Sequence, residues 1–167
     1  MSDTVIEVMI EIPAGSSIKY EQDEENGRIY VDRFVPTPMA YPENYGLIEG
    51  AKGKDGDLLD ALLLTVQPVM PGSWMKARVI GMLEMEDEEG IDHKLICVPA
   101  KAKQDYVCGG WEDLSDVPQY RLDRIKHFFE HYKDLEKDKW VKINKFVGKA
   151  EALKELQEAM SLSLIHI

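Results

Sequence analysis

Two short stretches concentrate carboxylates around a glycine. The first is Lys54-Asp55-Gly56-Asp57-Leu58-Leu59-Asp60, and the second is Glu86-Asp87-Glu88-Glu89-Gly90-Ile91-Asp92. A glycine permits the tight turn that brings Asp55, Asp57 and Asp60 towards one point. Carboxylate oxygens with water are what hard cations such as Mg²⁺ prefer. The spacing is not that of a calcium-binding EF-hand, whose loop requires a Glu at its twelfth position. Taken alone, each loop also reads as an ordinary solvated surface turn.

Cations in unusual places give the acidic loops a purpose. Lys19, Arg33, Lys94 and Lys133 lie in or beside apolar segments. Arg33 shares a strand face with Ile29 and Val31, where a charge wants a partner unless its long stem reaches water. Tyr41 and Tyr45 flank Pro42-Glu43-Asn44, and Tyr132 continues the apolar stripe of a helix. Core packing is the plain expectation for all three tyrosines. Many carboxylates with several cations suit phosphoryl chemistry, in which charge must be spread and neutralised. The chain carries a net charge of -11, so a polyanionic substrate requires bound metal to invert the local sign. Like charges 4 Å apart cost about 1 kcal/mol in water and about 4 kcal/mol near a protein surface.

The elements that must position these groups follow from periodicity. Thr4 to Ile12 alternates, with Ile6, Val8, Ile10 and Ile12 on one face and Glu7 and Glu11 on the other, as in a half-buried strand. Ile18 to Glu21 and Arg28 to Phe34 read as strands joined by the Asn26-Gly27 turn. Leu58 to Val66 reads as a strand buried on both sides. Ser73 to Leu83, Lys94 to Val98 and Lys139 to Asn144 complete the strands. Asp116, with Pro118 in the first turn and Gln119 three positions on, predicts a helix start. The stripe Leu122, Ile125, Phe129 and Tyr132 follows it. A second helix spans roughly 150–160, presenting Leu153, Leu156 and Met160. Short strands followed by two helices predict a closed β-barrel with helices packed outside.

Composition narrows the class. The 167 residues are 44% hydrophobic and 31% charged, which fits one domain with a core and a solvated surface. The acidic balance disfavours nucleic acid, which is bound through Lys and Arg, and equally an anionic membrane. No apolar run approaches the ~20 residues of a membrane helix. The N-terminus lacks a signal-peptide pattern. Cys97 and Cys108 match neither a disulfide framework nor a zinc spacing, so a reducing, cytoplasmic setting is expected. The apolar end 161–167 is set apart as a tail, leaving 1–160 as a single domain.

In combination the motifs resemble soluble family I inorganic pyrophosphatases. The matching blocks are Glu11-Ile12-Pro13-Ala14 leading to Ile18-Lys19-Tyr20-Glu21, Val31-Asp32-Arg33-Phe34, and Tyr41-Pro42-Glu43-Asn44-Tyr45-Gly46. The acidic loops followed by Lys94, and the run from His127 through Tyr132-Lys133 to Lys137, complete them. They keep their order from Glu11 to about Lys142. The resemblance implies a mainly β fold with α-helices, an OB-like five-stranded closed barrel with two C-terminal helices outside. It implies hydrolysis of pyrophosphate to two orthophosphates with several Mg²⁺ ions, for which Mn²⁺ or Zn²⁺ are possible substitutes. Asp55, Asp60 and Asp92 would hold the metals that activate water. Asp87 would join Asp92 at a substrate-bound metal, and Glu21 would reach another through water. Asp57 would take the proton of the attacking water. Lys19, Arg33, Tyr45, Lys94, Tyr132 and Lys133 would bind phosphate, with Glu11 and Tyr41 in support. A homo-oligomer is implied, a hexamer if the source is bacterial. Leu58 departs from the usual Pro or Glu after the second Asp of the loop, which bears on loop stiffness.

Four alternatives remain at this level. His127-Phe128-Phe129-Glu130-His131 fits the H-x-x-E-H pattern of inverted zinc peptidases. The same histidines could lie in a subunit contact sensitive to protonation near pH 6. A non-catalytic OB-type module that binds oligonucleotide is another reading, and a different metal-dependent phosphohydrolase, for instance of nucleotides, is the last.

Overall fold

Alternating apolar residues build a closed ring of strands in the computed structural model, which describes residues 4–165. The strands of the ring are β1 (Ile6–Ile12), β4 (Asn44–Lys52), β5 (Leu58–Leu63), β8 (Lys94–Pro99) and β6 (Trp74–Asp87). β1 pairs antiparallel with β4, β4 with β5, β8 with β6, and β6 back with β1, while β5 and β8 run parallel. These five strands close on themselves, the OB-like arrangement expected. β7 (Gly90–Ile91) and β9 (Val141–Gly148) extend β6 beyond the ring. β2 (Ile18–Gln22) and β3 (Ile29–Phe34) form a separate hairpin, paired in the described residues only with each other.

Most ring strands are buried on both faces: one face packs against the other ring strands and one helix, and a second helix lies against the other. Ala61, Leu63, Leu95 and Cys97 pack into a cluster with Ala152, Leu156 and Ala159 of α2 (Lys149–Ile165). Leu62, Leu64, Ile96 and Val98 point the opposite way, towards Leu122, Ile125, Phe128 and Phe129 of α1 (Gln119–His131). Each Leu, Ile, Val or Phe among them contributes about 1.5–3 kcal/mol on burial. β4 approaches β1 so closely at Gly46 that any Cβ there would lie 1.9 Å from the Met9 carbonyl oxygen.

Several sequence expectations change in detail. β1 is buried on both faces rather than one, with Met9 only 1% exposed and Glu11 5%. The strand over Leu58 to Val66 is fully buried only from Ala61 to Leu64. The face that carries Arg33 is not core: Val31 is 55% exposed, so the guanidinium faces no apolar wall. β6 continues to Asp87, taking in part of the second acidic stretch, and β9 runs on to Gly148. Asp116 does not cap α1. Its carboxylate accepts the N–H groups of Glu112 and Asp113, while Pro118 occupies the cap position without a side-chain hydrogen bond. Tyr132 is the C-cap of α1, so Lys133 lies in the following turn rather than in the helix. α2 continues past 160 into the expected tail, whose residues 166 and 167 lie outside the described residues.

Candidate active site

The first acidic loop is the tip joining β4 to β5. Gly56 adopts φ 92°, and Asp55 Oδ1 accepts the backbone N–H of Asp57 at 3.0 Å. The turn leaves both carboxylates exposed, and Lys52 pairs with Leu58 at its base. Asp60 then sits on β5 directly in register with Lys94 on β8. That parallel pairing explains a buried lysine. Lys94 Nζ donates to Asp60 Oδ2 at 2.7 Å and to Tyr45 Oη at 2.8 Å, and stands 2.9 Å from Asp92 Oδ1. It also lies over the rings of Tyr45 and Phe129. Burial works against its charge, yet Asp60 and Asp92 hold its pKa well above the usual lysine range. Burial and the neighbouring Asp60 push Asp92 up to about 6 despite the lysine.

A second cation faces the end of β6. Lys133 Nζ is 3.1 Å from Asp87 Oδ2 and 3.3 Å from Glu88 Oε1. Burial alone would raise the Asp87 pKa, but the Glu89 N–H and the Lys133 ammonium outweigh it and hold it low. Lys139 joins at 3.5 Å from Glu88. On the hairpin, Lys19 Nζ is 3.4 Å from Asp32 Oδ2, and Arg33 donates to Glu136. Glu11 accepts the Gln22 N–H at 2.9 Å, joining the ring to the hairpin. Its burial, with Asp60 and Glu21 nearby, pushes its pKa up to about 7 even though that hydrogen bond pulls it down.

Apart from Glu136 and Lys52, these groups line one cavity of about 1060 Å³. Its walls include Glu11, Lys19, Glu21, Arg33, Tyr41, Tyr45, Asp55, Asp57, Asp60, Asp87, Asp92, Lys94, Tyr132 and Lys133. Every residue that the pyrophosphatase resemblance implies for catalysis, phosphate, metal or support is among them. The cavity adds groups the sequence reading left out: Glu88, Lys139 and Asp32. Glu88 stood in the second acidic stretch, but nothing in the sequence distinguished it from its solvated neighbours. Burial raises the pKa of Tyr41, Tyr45 and Tyr132, so they meet a ligand as neutral phenols.

The motif around Tyr45 shows how the cavity is held. Asn44 spends its whole amide on the scaffold: Nδ2 donates to Leu63 O and Thr65 Oγ1, and Oδ1 accepts from Ala14 and Val69. Glu43 takes a two-pronged pair from Arg121 of α1, at 3.0 and 2.6 Å. With Glu43 and Asn44 turned inward, Tyr41 and Tyr45 are left to face the cavity.

The donor set fits a hard divalent cation. Carboxylate oxygens face the cavity from two loops and the hairpin. Among the described residues no three His, Cys, Asp or Glu side chains form a ready-made metal cluster. Mg²⁺ needs only one or two direct carboxylates and keeps several waters. The zinc-peptidase pattern finds no support in the geometry. The rings of His127 and His131 lie 4.8 Å apart on the exposed side of α1, and His131 pairs with Asp134 at 2.8 Å. Neither lines the cavity.

A five-stranded ring with an acidic, cation-lined cavity on one side suits a protein that binds a small polyanion together with metal. The sequence profile described as inorganic pyrophosphatase matches residues 8–163, and the chain belongs to that family. It is 51% identical over 156 residues to an inorganic pyrophosphatase of Gluconobacter oxydans, covering 93% of this chain and 90% of that one. The relative from Aquifex pyrophilus is 50% identical over 155 residues, covering 93% and 87%. Among solved structures, an inorganic pyrophosphatase from Coxiella burnetii superposes with a TM-score of 0.91 at 44% identity, over 97% of this chain and 96% of that one. Among the described residues, no helix is long and apolar enough to cross a membrane.

Proposed function

We propose that this cavity hydrolyses inorganic pyrophosphate to two orthophosphates with Mg²⁺, and that its residues divide the work by position. The reading rests on one observation: the groups implied by the sequence motifs line a single cavity, with a buried lysine clamped between two of its carboxylates.

Asp55, Asp60, Asp87, Asp92 and Glu21 would hold the cations. Bound there, Mg²⁺, or Mn²⁺ or Zn²⁺ in its place, offsets phosphate charge and makes water a stronger acid. Asp57 projects from an exposed turn, where it takes the proton of the attacking water. Water attacks one phosphorus, the bridging P–O bond breaks, and the second phosphate departs. Lys94 and Lys133, already fixed by carboxylates, steady negative charge on the phosphoryl oxygens. Lys19 and Arg33 reach the substrate from the hairpin. Neutral Tyr45 and Tyr132 donate hydrogen bonds. Glu11 and Tyr41 support the floor.

Residues 1–160 form the working domain in this reading, although the family match extends to 163 and α2 to Ile165. The family resemblance favours a homo-oligomer, a hexamer if bacterial. A reducing, cytoplasmic setting suits Cys97 and Cys108, which are buried and unpaired.

Purified protein should release phosphate from pyrophosphate with Mg²⁺, stop in excess chelator, and slow when Ca²⁺ is added. Ca²⁺ inhibits because it is larger and coordinates more loosely. Full turnover in excess chelator would contradict the metal requirement.

A further inference from the structure

Arg33 lines the cavity, and its partner Glu136 stands outside the lining. Arg33 leaves β3, and its Nη1 donates to Glu136 Oε1. Glu136 stands in the turn after α1, where its own N–H donates to the Lys133 carbonyl at 2.9 Å. The backbone of Glu136 is thereby tied to the segment that also carries Tyr132 and Lys133. Its side chain is 17% exposed against 36% for Arg33, so the more buried partner is the anion. The second oxygen, Oε2, is buried without a hydrogen-bond partner among the described residues. A buried acceptor left unsatisfied is unfavourable. Stability alone therefore gives little reason for a carboxylate here.

The hairpin gives a reason. β2 and β3 pair only with each other in the described residues, and Arg33 lies on their solvated face. An arginine on such a surface samples many rotamers. Its Nε is 4.0 Å from Asp32 Oδ2, too long for a hydrogen bond. The guanidinium offers five N–H donors in a planar fork, and the bond to Glu136 uses one. The others remain for a phosphate.

We propose that Glu136 is a positioning residue for pyrophosphate: it pins the Arg33 guanidinium at the cavity margin and leaves its free donors facing the substrate. This rests on the reading of Arg33 as a phosphate-binding cation. The competing effect is electrostatic. A negative charge near the cavity repels a polyanion, so its removal would tighten binding. The two effects have opposite signs, which makes the question decidable.

The test is a double-mutant cycle at saturating Mg²⁺ with Glu136→Ala, Glu136→Gln, Arg33→Ala and the double alanine variant. Glu136→Ala should raise KM for pyrophosphate about tenfold, a fraction of what full arginine rotamer freedom is worth. kcat should stay within about twofold, because the contact is equal in ground and transition states. Glu136→Gln should fall between, since a neutral acceptor binds a guanidinium more weakly. Arg33→Ala should raise KM at least as much, and adding Glu136→Ala to it should change KM by less than about twofold. A KM that falls, a kcat that collapses at unchanged KM, or effects that multiply in the double variant would each overturn the proposal. If Arg33→Ala raises KM but Glu136→Ala does not, the role of Glu136 alone fails. If Arg33→Ala keeps the parent KM, the reading of Arg33 fails and the role of Glu136 with it. Should Glu136→Ala not fold, the isosteric Glu136→Gln carries the same cycle.

Discussion

The cavity has two walls built on different physical terms. On the ring wall, Lys94 is 2% exposed and sits between Asp60 and Asp92 because β5 and β8 pair in register. On the hairpin wall, Lys19 and Arg33 are about one-third exposed and stand on two strands that, among the described residues, pair only with each other. Charges on the first wall are desolvated and already oriented, so they act strongly and cost stability if left alone. Charges on the second are screened by water and worth little to the fold. The difference teaches that rate and stability should be coupled on the ring wall, and substrate affinity separable on the hairpin.

The largest expected effect is at the rim of the ring wall. Asp57→Asn keeps the size of the side chain and can still accept a hydrogen bond, but cannot take a proton at neutral pH. Losing a general base typically costs 10²- to 10⁴-fold, about 3 to 5 kcal/mol of barrier. The variant should fold, still bind Mg²⁺, and show a deficit that added metal does not restore and that shrinks as pH rises. Asp55→Asn and Asp60→Asn should instead shift the Mg²⁺ titration. Parent turnover of Asp57→Asn in high Mg²⁺ would make Asp57 another ligand.

A smaller effect is expected at the joint between the walls. Glu11 holds the hairpin through the Gln22 N–H, and burial pushes its pKa from 4.5 up to about 7. In the metal-free protein the folded state therefore keeps a proton that the unfolded chain releases. That contribution is present below pH 4.5 and is lost as pH rises to about 7. Glu11→Gln keeps an acceptor without the charge. It should stabilise the metal-free protein above pH 7 by about 2 to 3 kcal/mol, with no gain below pH 4.5. Thermal melts in chelator from pH 4 to 8 would show this, and a destabilised Glu11→Gln at pH 8 would contradict it.

Much of this was legible in the chain. Apolar patterning located β1, β5, β6 and β8 of the ring but not β4, which the sequence reading passed over, and the helix stripe containing Leu122, Ile125 and Phe129 located α1. The spaced aspartates marked the β4–β5 tip through Gly56. The partner of Lys94 was not legible. Asp60 lies 34 positions away, and a parallel pairing leaves no local sign of register. Glu43 and Asn44 had no assigned role in the sequence, since hydrogen bonds with Arg121 and Ala14 depend on tertiary contact. The exposure of β3 was misread for a related reason. Apolar residues beside Arg33 suggest core, but only neighbouring elements decide whether a hairpin is covered.

The most direct test compares Lys94→Met with Arg33→Ala, one from each wall, by thermal melts in chelator and by steady-state kinetics with Mg²⁺. Lys94→Met leaves Asp60 and Asp92 facing each other without their cation. It should lose about 3 to 5 kcal/mol of stability, and turnover with it. Arg33→Ala should change stability by no more than about 1 kcal/mol and raise KM while leaving kcat near the parent value. Equal loss of stability in the two variants, or a kcat collapse in Arg33→Ala with Lys94→Met unimpaired, would contradict the division of the cavity into two walls.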